Sequence, residues 1–544
     1  VARGFVTQSA PNGWLADAAA GMRFLARLPA FLRAPISVAD SQAILRRRHA
    51  EREGDFLALA RRAVYGHPGS PYRALLTHAG CEYRDLERLV RTEGLEGALR
   101  ALFRAGVFLT IAELKGRRPV VRDGLRLEVD PGALRNPSSA FHVPGQTGGS
   151  RGPSTPLAID LGFVRDVAAD LAASLAARGA ADWHLAYWDV PGGTIRPLLV
   201  CAKAGHAPRR WFSLVDPASR DMHARYRWSA RALRWGGRLA GVRLPAPEHV
   251  PLGDPLPVVR WMRDVLGAGR TPLLLTYASP AVRLAEAARA AGLDLAGARL
   301  LLYGEPVTAA RLAAVRRTGA EATPLYIAME TWRLGEGCLA PEASDDVHFL
   351  SDLHALVQAG PEGDRFGLPA QALLVTSLRR TAPLALLNVA LGDQAVVVDR
   401  RCGCPLERLG WTRHLHTIRS YEKLTAGGMT FLDTDVIRVL EETLPARFGG
   451  GPTDYQLVEE ESAEGLARVR LLMRPEVGPA DPEAVAEAFL AAISAGVGVE
   501  RIMGQVWRDG QLLRVDRQAP ISTPSGKILH LHVGGSTTGR PGGP

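Results

Sequence analysis

The apolar positions change their spacing three times along the chain, and each change predicts a different kind of structure. From about residue 38 to 105 they recur at helical intervals, as in SQAILRRRHAEREGDFLALARRAVYG, and Pro68, Gly69 and Pro71 end that stretch. From 106 to about 420 short apolar runs (PLLLTYA, ARLLLYG, QALLVTSL, QAVVVD) alternate with amphipathic segments such as SPAVRLAEAARAAGLDL. That alternation predicts α/β layering around a buried sheet. Beyond about 420 the pattern predicts a small α+β unit: TDVIRVLEETLP and DPEAVAEAFLAAISAG as helices, YQLVEEE and LARVRLLMRP as strands. Residues 1–37 read as a loosely patterned leader, and 536–544, rich in Gly and Pro, as a disordered tail.

Composition narrows the classes. The 544 residues are 47% hydrophobic and 22% charged, which suits a large globular core. No run approaches the ~20 apolar residues of a membrane span. The N-terminal stretch lacks a continuous apolar segment followed by a small-residue cleavage site, so a cytoplasmic location is expected. The net charge is +10, yet the basic residues are dispersed and not interleaved with aromatics, so nucleic acid is not expected as a partner. Only Lys115, Lys203, Lys423 and Lys527 are lysines; the other 62 of the 66 basic residues are Arg. Where surface charge defaults to arginine, a lysine marks a place that needs a compact ammonium.

Five segments carry candidate chemistry. Thr147, Gly148, Gly149, Ser150, Arg151 and Gly152 form a glycine-rich loop whose backbone N–H groups and hydroxyls suit a polyphosphate, without the Gly-Lys-Ser/Thr of a Walker loop. Gly304, Glu305 and Pro306 follow a buried strand, where α/β sheets bind ligands. Tyr326 and Glu330 follow another: a ring to stack on a base, and a carboxylate to hold Mg²⁺ against phosphate. Gly392-Asp393 lies between two apolar runs, a hairpin-like setting in which the carboxylate can accept from ribose hydroxyls. Ser525-Gly526-Lys527 precedes a strand, and its ammonium can neutralise charge developing on a phosphate.

The order of these segments resembles that of the acyl-adenylate-forming (AMP-binding) superfamily, most closely its phenylacetate–CoA ligase-like branch, over roughly residues 45–535. The resemblance implies a large multi-layer N-terminal adenylation domain (38–420) and a small mobile α+β C-terminal domain (421–535) that rotates about Glu422. It implies that Thr147 to Gly152 bind the triphosphate and that Gly304, Glu305 and Pro306 line the adenine pocket. Tyr326 would stack near the adenine, Glu330 hold Mg²⁺, Asp393 bind the ribose, Arg419 contact the nucleotide and Lys527 drive adenylation. Tyr187, Trp188, Gly192 and Gly193 correspond to the acyl pocket and suit an aromatic acid. Cys338, His348, Cys402 and Cys404 correspond to a structural Zn²⁺ site found in some members, with His354 competing for the histidine position.

The expected activity is ATP-dependent activation of an aryl or arylalkyl acid, followed by transfer to CoA. Alternatives are transfer to a carrier-protein phosphopantetheine or an amine, or a silent nucleotide- or acyl-binding homologue. A homodimer is compatible with the resemblance. The chain departs from the family pattern at Arg151 and Pro153, at Ile327 (usually Gly), and at Val389-Ala390-Leu391 (usually Tyr-Arg-Thr).

Overall fold

The computed structural model describes residues 13–139, 143–146, 156–218, 224–421, 425–426, 429–430, 434–461, 467–494, 513–523 and 525–533. The segment expected to be a leader contains a helix, Gly13–Arg33. Phe24, Leu28 and Leu32 lie four residues apart and are buried, so one face of this helix is core. That face packs on the helix Ala224–Leu239, where Gly236 leaves room for Leu28; a Cβ at Gly236 would lie 2.5 Å from Leu28 Cδ2. Leu25 and Phe31 off that face, and Pro29 inside the helix, hide the stripe in the sequence.

The next helix, Val38–Ala50, starts at Ser37, whose hydroxyl accepts from Asp40 N. On it, Arg48 is buried among three carboxylates: Asp166 at 2.6 Å, Asp170 at 3.0 Å and Asp352 at 3.2 Å. This cluster ties the N-terminal helices to the helix Leu161–Ala177 and to the turn before the strand His354–Gln358. Burial alone would lower the Arg48 guanidinium; the surrounding carboxylates raise it instead.

The centre is one continuous sheet in two halves. In the parallel half the strands run Pro247–His249, Arg210–Ser213, His184–Asp189, Pro272–Tyr277, Arg299–Tyr303 and Glu321–Ala328. PLLLTY is buried at every position, as a strand covered by helices on both faces requires. From Glu321–Ala328 the sheet continues antiparallel through Trp332–Gly337, Val347–Phe349, Arg413–Ser420, Val389–Asp399, Ala372–Ser377 and His354–Gln358. The apolar runs of the sequence are thus strands. The expected hairpin at Gly392-Asp393 is not one: both residues lie inside the eleven-residue strand Val389–Asp399. Gly392 has φ +88°, and the pairing register with the strand Ala372–Ser377 slips between Ala390 and Gln394, so the glycine sits in a bulge within the strand.

The C-terminal unit has its own four-stranded sheet, ordered Leu513–Arg517, Ala467–Met473, Tyr455–Glu461, Leu531–Val533. Helices Thr434–Arg438 and Pro482–Ser494 cover it, and Leu440, Leu457, Leu471 and Phe489 form a separate core. The α+β expectation for this region matches these elements. Residues 536–544 lie outside the described residues. Among the described residues no helix is long and apolar enough to cross a membrane.

Leu28→Ala should lower unfolding free energy by about 2–5 kcal/mol, because the site cannot collapse around the lost side chain. Denaturant titration followed by circular dichroism checks this; a loss near zero would mean that the first helix is not part of the core.

Candidate active site

The site forms where the parallel strands end. After the strand Arg299–Tyr303 the chain turns at Gly304, which has φ +75°. A Cβ there would lie 2.8 Å from Tyr277 Cδ1 and 2.9 Å from Lys527 Nζ, so only glycine permits this close approach. The turn opens onto a cavity of about 150 Å³. Its wall gathers Gly304, Glu305, Pro306, Tyr326, Asp393 and Arg419, and Ile528 to Leu531 of the C-terminal unit close one side.

Tyr326 lies on the strand where the sheet changes direction, next to a register shift at Ile327. Its hydroxyl donates to Asp393 Oδ2 at 3.0 Å. Burial, then the Asp393 carboxylate, pushes the phenol well above its ordinary range, so it remains a donor. Arg419 is oriented by Asp345, with Nη1 to Oδ2 at 2.7 Å. The same carboxylate accepts from Thr417 N and Ile418 N, both at 2.8 Å, and thereby holds Thr417 at φ +54°. Thr417 is a β-branched residue in a region that such residues rarely adopt.

Lys527 reaches the site from a tight loop. Its backbone N–H donates to Thr523 Oγ1 at 3.1 Å, its carbonyl accepts from Thr523 N at 2.9 Å, and Gly526 before it has φ +76°. The ammonium lies 4.5 Å from the centroid of the Tyr277 ring. Beneath it is Asp189, the last residue of the strand His184–Asp189, which accepts from Tyr303 Oη at 2.6 Å and from Tyr277. Burial pushes the Asp189 carboxyl up, and the two tyrosines, the Val190 N–H and the Lys527 charge oppose that rise.

Asp189, Tyr277, Tyr303 and Asp345 were not singled out in the sequence. A signal for three of them exists: consecutive parallel strands end in Asp189, Tyr277 and Tyr303, polar tips on apolar runs. Asp345 had only its place in the Asp345-Asp346 pair before a strand.

Other expected residues lie elsewhere. Tyr187 and Trp188 are strand neighbours and project to opposite faces. Tyr187 Oη contacts Cys201 Sγ at 3.3 Å, and Trp188 Nε1 donates to Val250 O at 2.9 Å in a different core. Neither lines the cavity. Gly192 and Gly193 fall in the first turn of the helix Pro191–Lys203. Glu330 lies past the strand end, 3.2 Å from Lys115 Nζ, and is also off the cavity wall. Thr147 to Gly152 and Glu422 lie outside the described residues.

A second cluster sits beside the antiparallel half. The ligand atoms of Cys338, His348, Cys402 and His414 lie within 4.8 Å of one another. Cys404 joins them, its sulfur 3.2 Å from His348 Nε2, with Cys402 Sγ at 3.7 Å from the same nitrogen. His348 Nδ1 is fixed on Trp411 O at 2.6 Å, which leaves Nε2 facing the thiols. A hydrogen bond from Cys338 holds the Cys404 thiol low and pushes Cys338 up. The four expected residues are thus together, and His414 is an addition. It bonds Asp346 through Nδ1 at 2.8 Å, and its buried Nε2 has no hydrogen-bond partner among the described residues. His354 is outside the cluster, and burial lowers its imidazole to about 4.

No family model and no curated protein matches the chain. Solved structures do. A 2-hydroxyisobutyryl-CoA ligase in complex with 2-HIB-AMP and CoA is similar at TM-score 0.45 and 16% identity, over 92% of this chain and 91% of that one. The anthranilate CoA ligase AuaEII in complex with anthranoyl-AMP has TM-score 0.40 and 12% identity, over 76% and 68% of the two chains. McyG A-PCP complexed with phenylalanyl-adenylate has TM-score 0.42 and 11% identity, over 82% and 72%. These three TM-scores are below 0.5, and the likeness speaks to the fold alone.

Asp345→Ala strands the buried Arg419 guanidinium and removes two backbone hydrogen bonds, so stability should fall by about 3–5 kcal/mol. Chemical denaturation measures it; a loss under about 1 kcal/mol would put the Asp345–Arg419 pair in the class of weak surface contacts.

Proposed function

We propose that this protein activates a carboxylic acid with ATP, forming an acyl-adenylate and releasing pyrophosphate, and then passes the acyl group to a thiol. The observation that carries this reading is the cavity. Gly304-Glu305-Pro306, Tyr326, Asp393 and Arg419, picked from separate stretches of sequence, line one wall, and Lys527 stands beside it.

In this reading the Tyr326 ring packs on the adenine and Asp393 accepts from the ribose hydroxyls. Arg419, held by Asp345, faces the nucleotide. A carboxylate oxygen of the acid attacks the α-phosphorus; the new P–O bond forms as the bond to the pyrophosphate oxygen breaks. Lys527 offsets the charge that develops on the α-phosphate, an interaction strongest in the transition state. A thiol sulfur then attacks the acyl carbon, and AMP leaves.

The carboxylate offered for Mg²⁺ is Glu330, which lies off the cavity wall; this ion commonly takes one protein carboxylate along with phosphate oxygens and water. Lys115 would have to release Glu330 to allow it. When bound, Mg²⁺ would neutralise phosphate charge. The thiols of Cys338, Cys402 and Cys404 with the Nε2 of His348 match a closed zinc donor set, with His414 adjacent. Such a site would staple the loops around the antiparallel strands. An aryl or arylalkyl acid remains the proposed substrate, with CoA or a carrier-protein thiol as acceptor. The tilted Tyr277–Tyr303 ring pair, with centroids 5.0 Å apart near Lys527, supports an aromatic neighbour.

Acid-dependent ATP–pyrophosphate exchange tests the activity, run over aryl, arylalkyl and aliphatic acids. Exchange should appear with a subset of acids and fall by about 10²–10³ in Lys527→Ala. ATP binding without exchange for any acid would favour the silent homologue. Metal analysis of the purified chain should find about one zinc per molecule, lost with a drop in Tm in Cys404→Ser; a metal-free wild type of unchanged Tm after chelation would remove the zinc.

A further inference from the structure

Glu305 lies in the segment read as an adenine wall, yet its carboxylate is occupied by protein. Oε1 accepts from Ser279 Oγ at 2.6 Å and from the backbone N–H of Ile528 at 3.0 Å, and Oε2 accepts from Ser279 N at 2.8 Å. Arg311, in the first turn of the adjoining helix Ala309–Arg316, approaches the same Oε1 at 3.3 Å. Its Nη2 donates to Ile528 O at 3.3 Å. Both backbone polar groups of Ile528 are therefore held by one ion pair of the N-terminal unit, and Ile528 is the residue after Lys527.

The other side of Arg311 faces the C-terminal unit. Nε donates to Glu441 Oε1 at 2.8 Å, and that oxygen lies 2.6 Å from His530 Nε2. Thr308 Oγ1 donates to Glu441 Oε2. Arg311 and Glu441 are 1% and 3% exposed, so water does not share these bonds. Glu441 sits in a wider-wound turn, Val439–Thr443, inserted between two α-helical turns. Burial would raise its carboxyl; Arg311 and His530 bring it below the ordinary glutamate range. It is charged when docked. One guanidinium thus serves two buried carboxylates, one from each unit, and only in the docked arrangement.

We propose that Arg311, with Glu305 and Glu441, is an inter-domain clamp that positions Lys527 for adenylation and must open for acyl transfer. This rests on the adenylate-forming reading for its catalytic consequence and on geometry alone for the clamp. Arg311, Glu305 and Glu441 are positioning residues. They act on Lys527 through the backbone of Ile528 and not on the reacting atoms. Separation leaves Arg311 with Glu305 and leaves Glu441 with His530 alone, so the docked and parted arrangements differ by the desolvated Arg311–Glu441 contact.

Two measurements on the full-length chain test this. The first is hydrogen exchange of the Ile528 amide, read by mass spectrometry on peptides covering 525–531. The wild type should be protected. Glu441→Gln, which keeps the shape, and Arg311→Met should lose that protection while the strand 455–458 stays protected, which shows that the C-terminal unit is folded. An unprotected wild-type amide, or protection unchanged in both variants, overturns the clamp.

The second compares half-reactions: pyrophosphate release from ATP and acid, and thiol capture from supplied acyl-adenylate. In Glu441→Gln adenylation should fall by about tenfold or more, with capture within about twofold of wild type. A parallel loss of both half-reactions, or of neither, overturns the positioning role. If the wild type activates no acid, the activity reading fails, and the exchange experiment still decides the clamp.

Discussion

The strand Glu321–Ala328 is the constraint on which the site depends. On one side its neighbour is parallel, on the other antiparallel. Parallel strands deliver their carboxyl ends to one edge, and that edge supplies Asp189, Tyr277, Tyr303 and Gly304. The antiparallel extension brings back Asp393 and Arg419 from far later in the chain. Tyr326, on the shared strand, bonds to Asp393 and so joins the two halves. Neither half alone encloses the cavity.

Charge buried away from that edge does a different task. Arg48 among Asp166, Asp170 and Asp352 fixes where the N-terminal helices lie on the sheet. Asp170 is pushed well up by burial and then by Asp352, against the pull of Arg48, so this cluster is finely balanced. Such a group adds little net stability over an apolar replacement, but a helix docked in another register would strand its charges.

Much of the scaffold was legible because it follows local rules. Apolar runs became strands, and Gly304, Tyr326, Asp393 and Arg419, far apart in sequence, line one cavity. Other features were hidden for physical reasons. A glycine at φ +88° reads the same in a turn and in a strand bulge, which is why Gly392 suggested a hairpin. Asp345 and Arg311 acquire their roles from partners distant in sequence, which no local window reveals. Trp188 was different: strand alternation alone puts it on the face opposite Tyr187, so both could not line one pocket.

The cavity's two-sided wall has a thermodynamic corollary. Tyr326 and Asp393 belong to the large unit, and Leu529 and Leu531 to the small one. An occupant that touches both gains affinity from docking and, by reciprocity, strengthens docking by the same free energy. Filling the cavity and closing the molecule are then a single coupled equilibrium, and whatever loosens one loosens the other.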